Sequence, residues 1–386
     1  MPVIALVDGE HHPSAVRDVL AGLDLAGVVF CGGEEKLRAG PLERHYGRPV
    51  ETDAAAAFAR LDAAAVVDLA DEPVLPPAAR LGLASLALHH GLAYEAPGMR
   101  LEPPAYGRVD FDGPKLAVIG SGKRTGKTAV AGHWARLLED PVLVCMGRGG
   151  PAAPELVEAG IGVDELLELA ARGRHAASDH FEGAALAGVR TVGCRRIGGG
   201  LAGAPHESNV AEGAALAASL GPGALIFEGS GSAIPPVEVD RTVCIAGPGA
   251  LDGLGRYRLL RADLVLSADG DVPHERVLRF ELRPEPAEPV PAGARVALFS
   301  TGSAVPEGIE PVIASSNLSR RAALAADVER AAAADCDVWL TELKAAAVDI
   351  VAARARREGA RIVFLRNRPA GLDGDLDAAL EELAGG

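Results

Sequence analysis

Residues 116–128 read LAVIGSGKRTGKT, an apolar run that breaks into a glycine-rich turn ending on Gly126, Lys127 and Thr128. A strand of that kind delivers the chain to one point. Small residues then let successive backbone N–H groups face inward, and the following AVAGHWARLLE starts a helix with its positive end toward an anion. The order predicts a phosphate cradle, in which Gly122, Thr125, Gly126, Lys127, Thr128 and Ala129 wrap a nucleotide. Lys127 reaches the β- and γ-phosphates, and the Thr128 hydroxyl ligates Mg2+. The general pattern GxxxxGK[ST] puts its first glycine where this chain has Ser121, flanked by Gly120 and Gly122.

Outward from the cradle, PVLVCM (141–146), GVRTVGC (188–194), ALIFEGSG (224–231), RTVCIAG (241–247) and ADLVLSAD (262–269) are strand-like, with helical segments between several of them. The first hundred residues alternate apolar strands such as VIALV and GVVFCGG with amphipathic helices, which implies a parallel sheet covered on both faces. Ligands of such sheets gather at strand ends, which puts Asp8–His11 and Gly32–Gly33 at a site edge or in a solvated loop. Proline- and glycine-rich stretches at EAPGMRLEPPAYGRVDFDGPK and ELRPEPAEPVPAGA read as linkers. The expected fold class is α/β: a Rossmann-like N-terminal domain (1–107), a P-loop ATP-binding domain with a parallel sheet (113–285), and a small C-terminal α/β unit (293–386).

A chain of 386 residues with 48% hydrophobic content can bury more than one core. Its net charge of −15, without a basic tail or stripe, excludes nucleic acid and anionic membrane as general partners. A polyanionic ligand therefore requires a local basic pocket. Cys31, Cys145, Cys194, Cys244 and Cys336 are scattered, with no CxxC pair, and read as buried thiols of a reducing compartment. The start, MPVIALVDGEHHP, lacks the pattern of a signal peptide, and no stretch approaches the roughly 20 apolar residues of a membrane span. A soluble, cytoplasmic protein is expected.

A cradle for Mg2+-nucleotide needs an acid on a neighbouring strand, and Glu228, after four apolar residues and before a Gly-Ser-Gly turn, supplies it; the alternative is a plain strand-end carboxylate. Lys123 and Arg124 add more positive charge than a nucleotide demands, unless they face solvent. Arg148 in the turn GRGGP, and Arg195 and Arg196 before GGG, stand at strand ends beside glycines, which suits bidentate phosphate binding, although a salt-bridged surface would also use arginines. Asp179 and His180 in SDHFEGA could position or carry protons near neutral pH, or merely begin a helix with Ser178 or Asp179 as its cap. Asn209 could orient a substrate oxygen, and Lys344 closes the strand VWLTELK. The expected catalytic set is Lys123, Arg124, Lys127, Arg148, Asp179 and His180. Thr128 and Glu228 are the expected metal residues, and Arg148, Arg195, Arg196, Asn209 and Lys344 the expected substrate residues.

The strings DGEHHP, IGSGKRTGKTA, MGRGGP, SDHFEGA, GCRRIGGGLAG, SNVAEGA, FEGSGSAIPPV and ELKAAA together resemble the cyclic 2,3-diphosphoglycerate synthetase family. The likeness runs over most of the chain and departs at His12, where an aromatic residue is expected. It implies closure of 2,3-diphosphoglycerate into its cyclic pyrophosphate, with ATP and Mg2+ as cofactors and ADP and phosphate released. A homodimer acting on this polyanion, with no nucleic acid or membrane partner, is the expected assembly. Two other readings of a P-loop chain stay open beside it. One is a dethiobiotin-synthetase-like ligase activating a carboxylate or amine. The other is a nucleotide-switch ATPase, whose early signature lysine position falls on Gly122 here.

Overall fold

The computed structural model describes residues 1–385, which pack as two compact units. One comprises Met1–Ala105 with Gly200–Ala204 and Pro248–Ala262, the other Tyr106–Gly199, Pro205–Gly247 and Asp263 onward.

The first unit carries β1 (Val3–Val7), β2 (Leu25–Phe30), β3 (Ala65–Asp68), β4 (Ala93–Ala96) and β5 (Met99–Leu101), in the order β2-β1-β3-β4-β5. The first four pair in parallel, as continuous apolar strands covered by helices should. β1 and β2 end in close backbone contact: a Cβ on Gly9 would lie 1.9 Å from the carbonyl oxygen of Gly33, which is why the turns DG and GG are glycine-bearing. Asp8, just after β1, is fully buried and accepts the N–H groups of Glu10, His11 and Asp71. Burial alone would raise its carboxyl, but the Asp71 and His11 hydrogen bonds outweigh that and hold it below the usual carboxylate range. The acid of DGEHHP thus ties the loops after β1 and β3 together. His12 caps the helix Pro13–Ala21, its Nδ1 accepting the N–H of Ser14 at 3.4 Å. That gives the residue in the atypical position a local structural use.

The second unit is built on a 13-stranded sheet. Its strands are β6 (Lys115–Gly120), β7 (Pro141–Gly147), β8 (Glu155–Val157), β9 (Arg190–Ile197), β10 (Glu207–Ser208), β11 (Ala224–Glu228), β12 (Arg241–Ala246) and β13 (Leu264–Ser267), followed by β14 (Val277–Pro286), β15 (Val296–Phe299), β16 (Ile313–Ser315), β17 (Val338–Glu342) and β18 (Arg361–Gly371). They run in the order β10-β9-β7-β11-β6-β12-β13-β14-β18-β17-β15-β16, with β8 also beside β9. The cradle strand β6 is central, with β11 and β12 as parallel neighbours.

The proline-rich stretch read as a second linker departs from that expectation. Its first part belongs to β14, which pairs antiparallel with β18 from Phe280 to Pro286 and joins the central and C-terminal portions in one sheet. Its prolines permit this because of parity. The N–H of Ala287 donates to the carbonyl of Phe364, so positions 285 and 283 point toward β18 while Pro284 and Pro286 point away, where no donor is required. The helix Lys127–Leu137 buries Val130, Ala131, Trp134 and Ala135 in the main core against the sheet and the helix Leu376–Gly385. Trp134 Nε1 donates to the carbonyl of Leu380 at 2.9 Å, and His133 meets Asp377 at 2.6 Å, so the last helix braces the one that follows the cradle. A second core surrounds Trp339 and Phe299. Among the described residues no helix is long and apolar enough to cross a membrane, and none of the five cysteines forms a disulfide.

Candidate active site

The cradle turn is held in place by the end of β12 and by its own lysine. Gly126 takes a left-handed φ of 99° immediately before the helix, and Arg124 does so at 63°, unusual for a residue with a Cβ. Ser121, in the position of the missing glycine, uses its backbone and side chain alike. Its N–H donates to the carbonyl of Ile245, and its hydroxyl accepts the N–H of Gly247, so the turn is tied to the end of β12. Lys127 is buried, its ammonium donating to the carbonyl of Gly122 at 2.6 Å and meeting Thr125 Oγ1 at 3.3 Å. Burial pulls its pKa below the usual lysine value, with Glu228 opposing that pull and Arg148 adding to it. Lys123 and Arg124 are exposed, and among the described residues neither side chain has a hydrogen bond or ion pair.

Glu228 ends β11 opposite Val118 of β6 and Cys145 of β7, so register alone brings it to the helix start. Its Oε1 accepts the Thr128 hydroxyl at 2.5 Å, and its Oε2 lies 3.5 Å from the Cys145 thiol. Buried, and close to Asp179, the carboxyl is pushed up to about 8. A hydroxyl and a carboxylate so placed are hard oxygen donors of the type a small divalent cation takes, and the expected metal pair fits such an ion.

Two arginines converge beside this. A Cβ on Gly231, which has a φ of 64°, would sit 2.4 Å from Nη2 of Arg148 and 3.5 Å from Nη2 of Arg196. Both guanidinium groups therefore lie over one bare glycine of the turn after β11. Arg196 is buried and donates to the carbonyls of Gly198 (2.6 Å) and Ser230 (2.8 Å), while its Nε is buried without a partner among the described residues. Burial and the neighbouring Arg148 lower its pKa. Arg148 is exposed and, among the described residues, makes no hydrogen bond or ion pair. Arg195 is directed elsewhere, as alternation along a strand requires; it pairs with Glu207 at 3.4 Å. Asn209 is committed to backbone. Its Oδ1 accepts the N–H of Arg195, and its Nδ2 donates to the carbonyls of Pro151 and Ala152, which pins the turn GRGGP to β9.

SDHFEGA forms one α-helical turn, Asp179–Glu182, followed by a π-helical stretch, Gly183–Ala187. Spaced by three, Asp179 and Glu182 share a side of the turn. Asp179 acts electrostatically on Glu228, Lys127 and Glu182, and Glu182 is paired with Lys344 at 3.3 Å. The sequence places Glu182 in SDHFEGA without giving it a role, although its spacing from Asp179 is a usable signal. His180 takes a different course. Its ring lies against Gly193 of β9, where a Cβ would be 2.7 Å away, and its polar neighbours are Ser178 Oγ (3.2 Å) and Glu155 (3.8 Å). Burial pushes it down to about 4, so it is neutral at neutral pH.

That shift has a consequence for stability. The unfolded chain protonates at the ordinary 6.5 and the native one only near 4, so the stabilisation is full above pH 6.5 and is lost as pH falls through 4. His180→Phe, which keeps a ring on Gly193, is expected to be less acid-sensitive than the natural chain by on the order of 2 kcal/mol between pH 7 and 4.5. Thermal melting at both pH values measures it; equal losses in the two proteins would show that His180 is not buried in its neutral form.

Three family models match this chain in succession: the cyclic 2,3-diphosphoglycerate synthetase N-terminal domain at 2–102, its P-loop domain at 115–278 and its C-terminal domain at 306–368. The chain belongs to the cyclic 2,3-diphosphoglycerate synthetase family. Relatives bearing that name include one from Rubrobacter xylanophilus, 45% identical over 97% of this chain and 96% of its own length. Others are from Thermococcus gammatolerans, 39% identical over 96% and 94%, and Methanothermobacter thermautotrophicus, 34% identical over 97% and 93%. Among solved structures, LpxK from Aquifex aeolicus in complex with ATP covers 72% of this chain and 89% of its own, at 13% identity and a TM-score of 0.44. Family membership makes the chain a P-loop enzyme, and the cradle just described is the P-loop domain's own.

Proposed function

We propose that the protein uses ATP and Mg2+ to close 2,3-diphosphoglycerate into its cyclic pyrophosphate, releasing ADP and phosphate. The observation that carries this reading is the meeting of Arg148 and Arg196 over Gly231, close enough to Lys127 for Arg148 to lower its pKa. A nucleotide alone needs the cradle. A second cationic centre beside it suits a second polyanion, and two phosphates of one small molecule can approach each other only where cations offset their repulsion.

In this reading Gly122, Thr125, Gly126, Lys127, Thr128 and Ala129 hold ATP, while Thr128 and Glu228 would hold the cation, which when bound would supply positive charge against the phosphates. Lys123 and Arg124, exposed on the rim, face the arriving anions. Arg148 and Arg196 grip the substrate, and Lys344 adds a charge from the C-terminal portion. One substrate phosphate attacks the γ-phosphoryl group of ATP, breaking its bond to the bridging oxygen and releasing ADP, and becomes a phosphoric anhydride. The second attacks that activated phosphorus and expels inorganic phosphate. Both phosphates sit on one carbon skeleton, so ring closure gains from proximity once the arginines orient them. No base is needed, because phosphate oxygens are already ionised, and a neutral His180 turned toward Glu155 is consistent with that. Asn209 serves by fixing the turn that carries Arg148. Use of ATP and five cysteines kept as thiols support a cytoplasmic setting.

Purified protein incubated with ATP, Mg2+ and 2,3-diphosphoglycerate should convert two phosphomonoester phosphorus signals into a pair of anhydride resonances, with ADP formed in step. ADP release without a cyclic diphosphate removes the proposal. Phosphorylation of an added carboxylate instead would move the protein to the dethiobiotin-like ligases.

A further inference from the structure

The ion pair between Glu182 and Lys344 is placed unlike the surface pairs of this protein. Glu182 is buried whereas Lys344 is half-exposed, and at 3.3 Å each is the other's only charged partner within ion-pair distance among the described residues. The nearby Glu342 is already engaged, accepting the N–H and hydroxyl of Thr301 at 2.8 and 2.7 Å and Asn367 Nδ2 at 3.3 Å. The backbone on both sides is irregular. Glu182 opens directly into a π-helical stretch, a second one runs from Ala347 to Ala352, and Ala345, beside the lysine, takes a left-handed φ of 51°. A π-helical turn and a left-handed alanine are costly local choices that collect where side chains must be aimed.

We propose that Lys344 is an exchangeable cation: held by Glu182 in the free enzyme, its ammonium passes to a phosphate oxygen of the substrate, and Glu182 takes a proton from solvent. The exchange rests on the functional reading above and deepens it. The electrostatics allow the hand-over in both directions. Lys344 feels Glu182, Glu342 and Asp179, and Asp179 in turn acts on Lys127 and Glu228, so the lysine belongs to the same field as the cradle. A phosphate offers more charge and more acceptor oxygens than one carboxylate. Left without its cation, Glu182 would be a buried charge facing Asp179, Glu342 and Glu228, which is strongly unfavourable. Its carboxyl is already pushed up to about 7, by burial first, so it protonates instead. The proton count balances: one proton enters from solvent, and the lysine stays an ammonium throughout.

The test is calorimetric titration of the full chain, loaded with Mg2+ and a nonhydrolysable ATP analogue, with 2,3-diphosphoglycerate near pH 7.5 in two buffers of different ionisation enthalpy. Natural protein should take up more protons than Glu182→Gln. The Glu182→Gln protein should bind the diphosphate as tightly or a few-fold more tightly, having no carboxylate to compete. Lys344→Met should raise the diphosphate Kd about tenfold, as expected for one lost charge-assisted contact, and lose the extra uptake. Retained affinity for the ATP analogue confirms that both variants are folded. Unchanged diphosphate affinity in Lys344→Met, or the same proton count in Glu182→Gln as in the natural protein, overturns the exchange while leaving the cyclisation intact. A natural protein that neither binds nor turns over the diphosphate overturns both.

Discussion

Lys127→Met should abolish turnover, with kcat falling by about a thousandfold or more, while the protein stays folded. The two halves of that expectation have different sources. The loss of rate follows from position: the ammonium begins the helix, lies over the turn against Gly122 and Thr125, and is the one buried cation among the cradle's three. Phosphoryl transfer offers little covalent work to a protein, so removing a fixed positive charge where negative charge spreads removes much of what the site does. The retained fold follows from burial. Desolvation is the main influence on Lys127 and disfavours its charged form, so a methionine of similar length relieves a cost rather than adding one. The carbonyl and hydroxyl it leaves lie in a turn that keeps its tie to β12 through Ser121. A coupled assay of ADP release and a thermal scan check the two parts. Turnover within tenfold of the natural protein would mean that another cation, Lys123 or Arg124, serves the γ-phosphate; a large drop in melting temperature would mean that Lys127 is a structural residue.

The cradle was legible from sequence because its cause is local. An apolar strand, a glycine-rich turn and a helix start within thirteen residues leave few other shapes, and Gly126 shows the left-handed backbone this order demands. Glu228 was legible for a related reason: an acid closing a buried strand before Gly-Ser-Gly must emerge at the edge where parallel strands end. What the sequence concealed depends on direction and long-range pairing. Arg195 and Arg196 are adjacent in the chain and looked equivalent, but a strand sends them to opposite faces, and only Arg196 meets Arg148. Asn209 resembled a substrate ligand, yet three backbone partners use its donors and acceptor. The prolines near 284 suggested a linker, since their tolerance in a strand depends on which side faces a neighbour. Glu182 gained meaning only once Lys344, more than 150 residues later in the chain, was brought beside it. Ser121 is the reverse case. It departs from the glycine of the general pattern, and its hydroxyl makes a tie that a glycine could not.

That separation of the two adjacent arginines leads to the sharpest distinction a set of variants can draw. Arg148→Ala and Arg196→Ala should each lower kcat/KM for 2,3-diphosphoglycerate by about a hundredfold or more, whereas Arg195→Ala should stay within a few-fold. Arg148 is exposed and makes no internal bonds among the described residues, so its removal costs substrate contact and little else. Arg196 donates to the carbonyls of Gly198 and Ser230, so Arg196→Ala should also lower the melting temperature. Arg196→Lys keeps the charge but loses the planar fork, and should recover part of the stability without the activity. Arg195 spends its charge on a half-exposed pair with Glu207, which contributes little to stability. Because Arg148 and Arg196 meet over the same glycine, their double variant should lose less than the two single losses combined. Affinity for ATP, measured by calorimetry without the diphosphate, should change no more than a few-fold in all of them, since the cradle makes its own contacts. If Arg195→Ala proved as damaging as Arg148→Ala, the anion site would lie on the other face of β9. If Arg148→Ala lost ATP binding instead, the cations over Gly231 would belong to the nucleotide, and the argument for a second polyanion would fall with them.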